Sequence, residues 1–188
     1  MRVEFLAHAK TKESLPKAYL PEIAFLGRSN SGKSSLINTL LGQKVARSSS
    51  TPGRTQGLCF FKVRPNLVFV DFPGFGYAKT SKQEKTSWVE VIEAYASARH
   101  TWKATVWIYD IRRDPDALDF QMQDWLLSSE RPFCIALSKV DTLNKSQWLL
   151  RKNRIKEILK LPEEQLIYFS SRTQEGVKTL WKIIDQKY

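Results

Sequence analysis

Along the chain, short apolar runs alternate with longer stretches in which apolar residues recur every three or four positions. The runs at 22–27, 58–64, 67–71, 104–110, 133–138 and 165–169 are rich in Val, Ile, Phe and Tyr, and their length and composition predict strands. The periodic stretches at 33–41, 83–98, 117–129, 145–160 and 174–186 predict helices. In the second of these Trp88, Val91, Ile92 and Tyr95 share a face, and in the third Leu118, Met122, Trp125 and Leu126 do. Alternation of this kind predicts an α/β fold, a mostly parallel six-stranded sheet with helices on both faces. Only Pro65-Asn66 separates 58–64 from 67–71, too short a link for a parallel crossover, so 58–64 is expected to be the one antiparallel strand. Asp114-Pro115 and Leu161-Pro162 mark loops. Residues 1–21 read as a short arm, polar and Pro-containing from 7 onward, and 1–188 as a single domain.

Composition narrows the class. An apolar fraction of 42% and an aromatic fraction of 12% belong to a folded globular chain. No run of about 18 uncharged apolar residues is present and the first residues lack the apolar core of a signal peptide, so no membrane association is expected. Cys59 and Cys134 sit in separate strand-like runs with no metal-ligand spacing, as reduced core thiols of a cytoplasmic protein would. The formal net charge of +11 favours an anionic partner, nucleic acid above all. Six basic residues of 145–160 (Lys145, Arg151, Lys152, Arg154, Lys156 and Lys160) face one acid, Glu157, so this helix is expected to carry a basic outer surface. Lys79, Lys82 and Lys85 add to the excess.

The chemistry is concentrated after the first central strand. Residues 27–34 read Gly-Arg-Ser-Asn-Ser-Gly-Lys-Ser, a complete G-x-x-x-x-G-K-S loop between an apolar run and an amphipathic one. Its glycines let successive N–H groups converge on phosphate oxygens at a helix N-terminus. Lys33 can reach the β- and γ-phosphates, and the Ser34 hydroxyl can complete a Mg²⁺ shell. Asp71, at the end of 67–71, is placed to hold Mg²⁺ through water, and the Gly74 N–H can approach a γ-phosphate. After 133–137 comes Ser138-Lys139-Val140-Asp141, where a carboxylate can accept the N1–H and 2-amino N–H of guanine, a donor pair that adenine lacks. Ser170-Ser171-Arg172 follows the last strand, where a backbone N–H could meet the guanine O6. The polar stretch 43–57 is long enough to be a functional loop.

With Leu20-Pro21-Glu22-Ile23-Ala24-Phe25, the phosphate loop running on into Ser35-Leu36-Ile37-Asn38, Thr51-Pro52-Gly53-Arg54-Thr55-Gln56 and Asp71-Phe72-Pro73-Gly74-Phe75-Gly76-Tyr77-Ala78, the chain resembles the translation-factor-related class of P-loop GTPases. Within that class it is similar to the EngB (YihA/YsxC-type) family of bacterial GTP-binding proteins. The resemblance covers essentially the whole chain. It implies a guanine nucleotide held by Gly27, Arg28, Ser29, Asn30, Ser31, Gly32, Lys33, Ser34 and Ser35, and by Gly53, Arg54, Thr55, Gln56 and Gly57 of a first switch. It further implies contacts from Asp71, Phe72, Pro73 and Gly74, from Ser138, Lys139, Val140 and Asp141, and from Phe169, Ser170 and Ser171. Mg²⁺ would be met by Ser34, Thr55 and, through water, Asp71. Lys33, Thr55 and Gly74 would carry catalysis, with 43–57 as the first switch and 72–82 as the second.

Some positions qualify the resemblance. Ser138 stands where most GTPases have Asn, which keeps a hydroxyl to tether the phosphate loop and loses an amide. Phe75 occupies the place where many GTPases orient the attacking water with Gln, so slow intrinsic hydrolysis is expected. Asn30 could accompany a K⁺ ion or only bond within its loop, and Arg54 could act in cis or merely add surface charge. The family's association with large-subunit ribosome assembly and cell division implies a ribosomal or rRNA-precursor partner for a monomeric GTP-dependent switch. The alternative is a nucleotide-regulated scaffold for division proteins. A P-loop ATPase or small-molecule kinase is disfavoured by Ser138–Asp141, and a sequence-specific DNA binder by the lack of any recognition-helix or zinc-ligand motif.

Overall fold

In the computed structural model, which describes residues 3–46, 57–75, 90–97 and 99–186, β2 (Glu22–Gly27) lies at the centre and is buried along its whole length. Burial on both faces is why this run shows no polar alternation. The other strands are β1 (Glu4–Ala9), β3 (Leu58–Arg64), β4 (Leu67–Asp71), β5 (Trp102–Asp110), β6 (Phe133–Ser138) and β7 (Leu166–Tyr168). They form a seven-stranded sheet in the order β1-β3-β4-β2-β5-β6-β7. β2 is parallel to β4 on one side and β5 on the other, so the chain departs in opposite directions from its carboxyl end, the place where open α/β sheets form a binding crevice.

The sheet has seven strands where the hydrophobic pattern predicts six. The addition is β1, which pairs antiparallel with β3, and β3 also pairs antiparallel with β4, so β3 alone runs against the rest. β1 escapes a hydrophobic pattern because it is an edge: Phe5 and Leu6 are exposed, and its register slips between Phe5 and Ala7. A bulge there also discourages pairing with another chain.

Helices cover both faces, as expected. On one, α1 (Lys33–Leu41) and the C-terminal helix Val177–Asp185 place Leu36, Ile37, Leu40, Leu180 and Ile184 against Ile23, Phe25, Phe69 and Val106. On the other lie α2 (residues 90–97), α3 (Ala117–Ser128) and α4 (Lys145–Leu159), through Val91, Tyr95, Leu126, Ile155 and Leu159. The C-terminal helix is α5. Trp88 falls outside the described residues, while Val91 and Tyr95 face inward as expected.

Of the face expected for α3, Leu126 is buried and Met122 and Trp125 pack against the core, but Leu118 is exposed, and Asp119 and Gln123 also point inward. Polar groups with interior partners set that rotation. Gln123 Nε2 donates to the Leu159 carbonyl at 2.6 Å, and Asp119 Oδ2 accepts from the Asp116 N–H at 3.1 Å within a capping box. The basic surface expected of α4 is also revised. Arg151 and Arg154 both bind Asp114 (2.8 and 2.7 Å), and Lys152 lies 3.3 Å from Glu163, so part of that charge is spent within the fold.

The arm before β2 is tied down by a buried ion pair. Arg99 donates to both Glu22 oxygens, at 2.5 and 3.0 Å, and to the Pro16 carbonyl at 2.6 Å, linking the end of the α2 segment to the start of β2. Both partners are almost fully enclosed, so each neutralises a charge that would be costly alone.

Candidate nucleotide site

The loop after β2 is shaped by residues that leave no room for alternatives. A Cβ at Gly27 would lie 2.5 Å from Ser31 Oγ and 2.9 Å from the Ile108 carbonyl, so only glycine fits. Asn30 (φ 64) and Gly32 (φ 94) take left-handed conformations, and α1 begins immediately after at Lys33. The first N–H groups of α1 have no intrahelical partner, which makes the loop an anion cradle. Among the described residues the buried Ser31 hydroxyl has no partner. Ser34 occupies the first turn of α1, with the exposed Ser35 beside it.

Lys33 is buried and pairs with Asp71, itself buried at the end of β4. A phosphate drawing off the Lys33 ammonium would leave the Asp71 carboxylate uncompensated inside the protein, a cost that a nearby cation removes. The oxygen donors at hand, the Asp71 carboxylate and the Ser34 hydroxyl, suit Mg²⁺, which keeps much of its water and takes few protein ligands.

The stretch after β4 is laced to the same loop. The Ser29 N–H donates to the Phe75 carbonyl (3.1 Å), and the Phe75 N–H to Gly27 (3.2 Å). A Cβ at Gly74 would come within 3.1 Å of Ser29, so glycine is what allows this approach. Phe72 and Phe75 are buried in the core and Pro73 is enclosed too; the Phe75 ring is packing, with no access to a reacting water. Gly53, Arg54, Thr55 and Gln56 lie outside the described residues. Gly57 packs against β1, where a Cβ would strike the Ala9 carbonyl at 2.2 Å.

From the other side, β6 delivers Ser138 and Lys139. Ser138 Oγ lies 2.6 Å from the Ser31 carbonyl and 3.1 Å from that of Tyr109, so the serine does tether the phosphate loop. Lys139 donates to the Asn30 carbonyl (2.7 Å) and to Asp110 (2.9 Å) from a left-handed backbone. Val140 is fully buried and its N–H reaches the Phe169 carbonyl. Asp141 accepts the Ser170 hydroxyl at 2.6 Å, and Phe169 and Ser170 are enclosed while Ser171 is exposed. The turn closes at Gly176, where a Cβ would sit 1.9 Å from the Tyr168 carbonyl.

Asp110, Asp116 and Asp119, which the sequence motifs do not single out, complete the frame together with Arg28 and Asn38. Asp110 ends β5 as Asp71 ends β4, a signal that was available. It binds Lys139 and, through both oxygens, Arg112. Burial would raise its carboxyl, but the hydrogen bonds from Arg112 and Lys139 prevail and hold it at about 2. The Arg28 guanidinium turns to α3, 2.5 Å from Asp116 and 3.6 Å from buried Asp119, so it braces the loop from outside. Burial raises the Asp119 carboxyl despite Arg113 and Arg28 nearby. Asn38 on α1 binds Val45 and Ala46 through three 2.8 Å hydrogen bonds, fixing the start of 43–57.

Three strand ends thus converge on one glycine-rich loop, and solved structures share the fold that brings them there. The crystal structure of a probable GTP-binding protein engB superposes with a TM-score of 0.73 at 24% identity, covering 88% of this chain and 97% of that one. Era in complex with MgGDPNP and nucleotides 1506–1542 of 16S ribosomal RNA gives 0.71 at 25%, covering 91% of this chain and 57% of Era. Fold and loop together define a P-loop GTPase, and a family model described as 50S ribosome-binding GTPase matches residues 22–139. A probable GTP-binding protein EngB from Streptococcus pneumoniae (strain Hungary19A-6) is 42% identical over 186 residues, 98% of this chain and 95% of its own. The chain belongs to the EngB family of GTP-binding proteins.

Proposed function

We propose that this GTPase holds GTP with Mg²⁺ in the crevice around Lys33 and Asp141, and that its nucleotide state governs binding to large-subunit ribosomal precursors. The observation that carries the reading is the Ser138 tether, which fixes the base-reading segment to the phosphate loop. Phosphates would take Lys33 and the loop N–H groups, and guanine would take Asp141. Mg²⁺, met by Ser34, Thr55 and, through water, Asp71, would neutralise charge developing on the transferred phosphoryl group. With Phe75 enclosed in the core, no side chain directly after Gly74 orients water, so basal turnover is slow and a partner raises it.

The family model's description as ribosome-binding, Era's rRNA contact and the net charge of +11 support a ribosomal partner. Cosedimentation with large subunits in the presence of a non-hydrolysable GTP analogue tests it. Binding is expected to fall by at least tenfold between about 50 and 200 mM salt, as counterion release requires for several phosphate contacts. Salt-insensitive binding, or equal binding with GDP, would count against the proposal.

A monovalent cation is part of the same proposal. Asn30 is exposed and its left-handed backbone suits asparagine, while Lys139 occupies its carbonyl. GTP turnover is expected to be faster in K⁺ than in Na⁺ at matched ionic strength. Equal rates would leave Asn30 with loop geometry alone.

A further inference from the structure

The Asp141 carboxylate is engaged from two sides by unlike groups. Ser170 Oγ donates to Oδ1 at 2.6 Å, and Arg172 Nε lies 3.1 Å from Oδ2. Ser170 is fully buried, and its oxygen also accepts the N–H groups of Arg172 (3.2 Å) and Thr173 (3.1 Å), so it belongs to the turn it organises. The Arg172 side chain is 78% exposed, and among the described residues Asp141 is the only carboxylate it pairs with. Its backbone is held while its side chain is free to leave.

A guanine read by Asp141 brings two donors, N1–H and the 2-amino N–H, to these same two oxygens. Each carboxylate oxygen has two lone pairs, so Oδ1 can keep the small, turn-held Ser170 hydroxyl and still accept one donor. At Oδ2 the competition is for space, since a planar guanidinium and a purine edge crowd one oxygen. At Oδ2 the incoming base meets the Arg172 Nε–H. We propose that Arg172 is a specificity-determining residue: its Nε–H substitutes for one guanine donor at Asp141 while the base is absent, and yields that place to the 2-amino group when guanine binds. The inference rests on the reading of Asp141 as the base-recognising residue.

A purine that lacks the 2-amino group reveals the substitution. Hypoxanthine keeps N1–H but leaves one carboxylate position unclaimed. In a site without the arginine that position goes unpaired in a partly desolvated pocket, and affinity falls. Here Arg172 remains in place and covers it. Guanine must instead displace an exposed ion pair, whose small worth lowers GDP affinity only modestly. The arginine therefore compresses the preference for guanine over hypoxanthine nucleotides.

The experiment measures dissociation constants of GDP, IDP and ADP for the full chain and for Arg172→Met, which keeps a long apolar stem and removes the donors. GDP is expected to bind about two- to fivefold tighter to the variant, the range an exposed ion pair allows. IDP is expected to hold or weaken, so that the GDP-to-IDP preference widens by at least the same factor. GDP and IDP carry identical phosphates and charge, so their ratio cancels the contribution of the phosphate loop and of the lost positive charge. An unchanged or narrower ratio overturns the role of Arg172. Equal binding of ADP and GDP by the wild-type chain would instead overturn the reading of Asp141, and the two failures are separately visible.

Discussion

Lys33→Ala is expected to weaken GTP binding by about 100-fold or more, since it removes a charge-assisted contact in a dry loop. Fluorescence titration with a labelled GTP analogue measures this, and near-wild-type affinity would remove Lys33 from the phosphate site. The same substitution has a second effect that a purely ligand-binding lysine would not produce. Lys33 and Asp71 are both buried and paired, so truncating the lysine leaves a carboxylate without a counter-ion in the core. Breaking such a pair costs about 3–5 kcal/mol, and the nucleotide-free variant should unfold at a clearly lower temperature. Adding Asp71→Ala should recover much of that stability and none of the GTP affinity. The double variant thereby separates what the pair does for the fold from what the lysine does for the nucleotide.

The second large effect is a change of base. In Asp141→Asn the side chain offers an amide N–H where guanine brings its own 2-amino donor, so two donors face each other. Xanthine carries a carbonyl at that position and can accept. GTP affinity is expected to fall on the order of 100-fold, with XTP overtaking it, because a site built for one hydrogen-bonding pattern rejects the complementary one strongly. Competition of GTP and XTP against a labelled guanine nucleotide reads the outcome. Retention of GTP by the asparagine variant would mean that the base is recognised elsewhere. Ser170 is expected to keep its bond to residue 141 in this variant, since it is held by the turn at 170–173.

Much of the fold was legible along the chain because the central strands are buried on both faces and the helices on one. Continuous apolar runs at β2, β4 and β6 and periodic ones at α1 and α5 follow directly from that difference. β1 was not legible, since an edge strand with a bulge and two exposed apolar side chains has no clean period. The inward face of α3 was legible only in part, at Met122, Trp125 and Leu126 but not at Leu118, for a related reason. Apolar spacing assumes that burial selects hydrophobic residues, and there Gln123 is buried because the Leu159 carbonyl accepts from it, and Asp119 is buried with one oxygen held by the Asp116 N–H and Arg113. The site followed the same division. Residues that act through the main chain or through a local motif, from Gly27 to Ser34 and from Ser138 to Asp141, announce themselves by spacing. Asp110 and Asp116, whose links to Lys139 and Arg28 span long stretches of chain, do not.

The amino-acid sequence by itself determined the class of nucleotide site and the strand-and-helix order that presents it. Both depend on local periodicity and on glycines whose conformational freedom is a property of the residue. Only the tertiary structure decided how the pieces bear on one another. It turned the Arg28 side chain away to Asp116, joined Ser138 to Ser31, neutralised part of the α4 charge on Asp114 and set Arg172 against Asp141. Each of these contacts closes a long loop in the chain, and a hydrogen bond or ion pair across such a loop leaves no mark in the spacing of neighbouring residues.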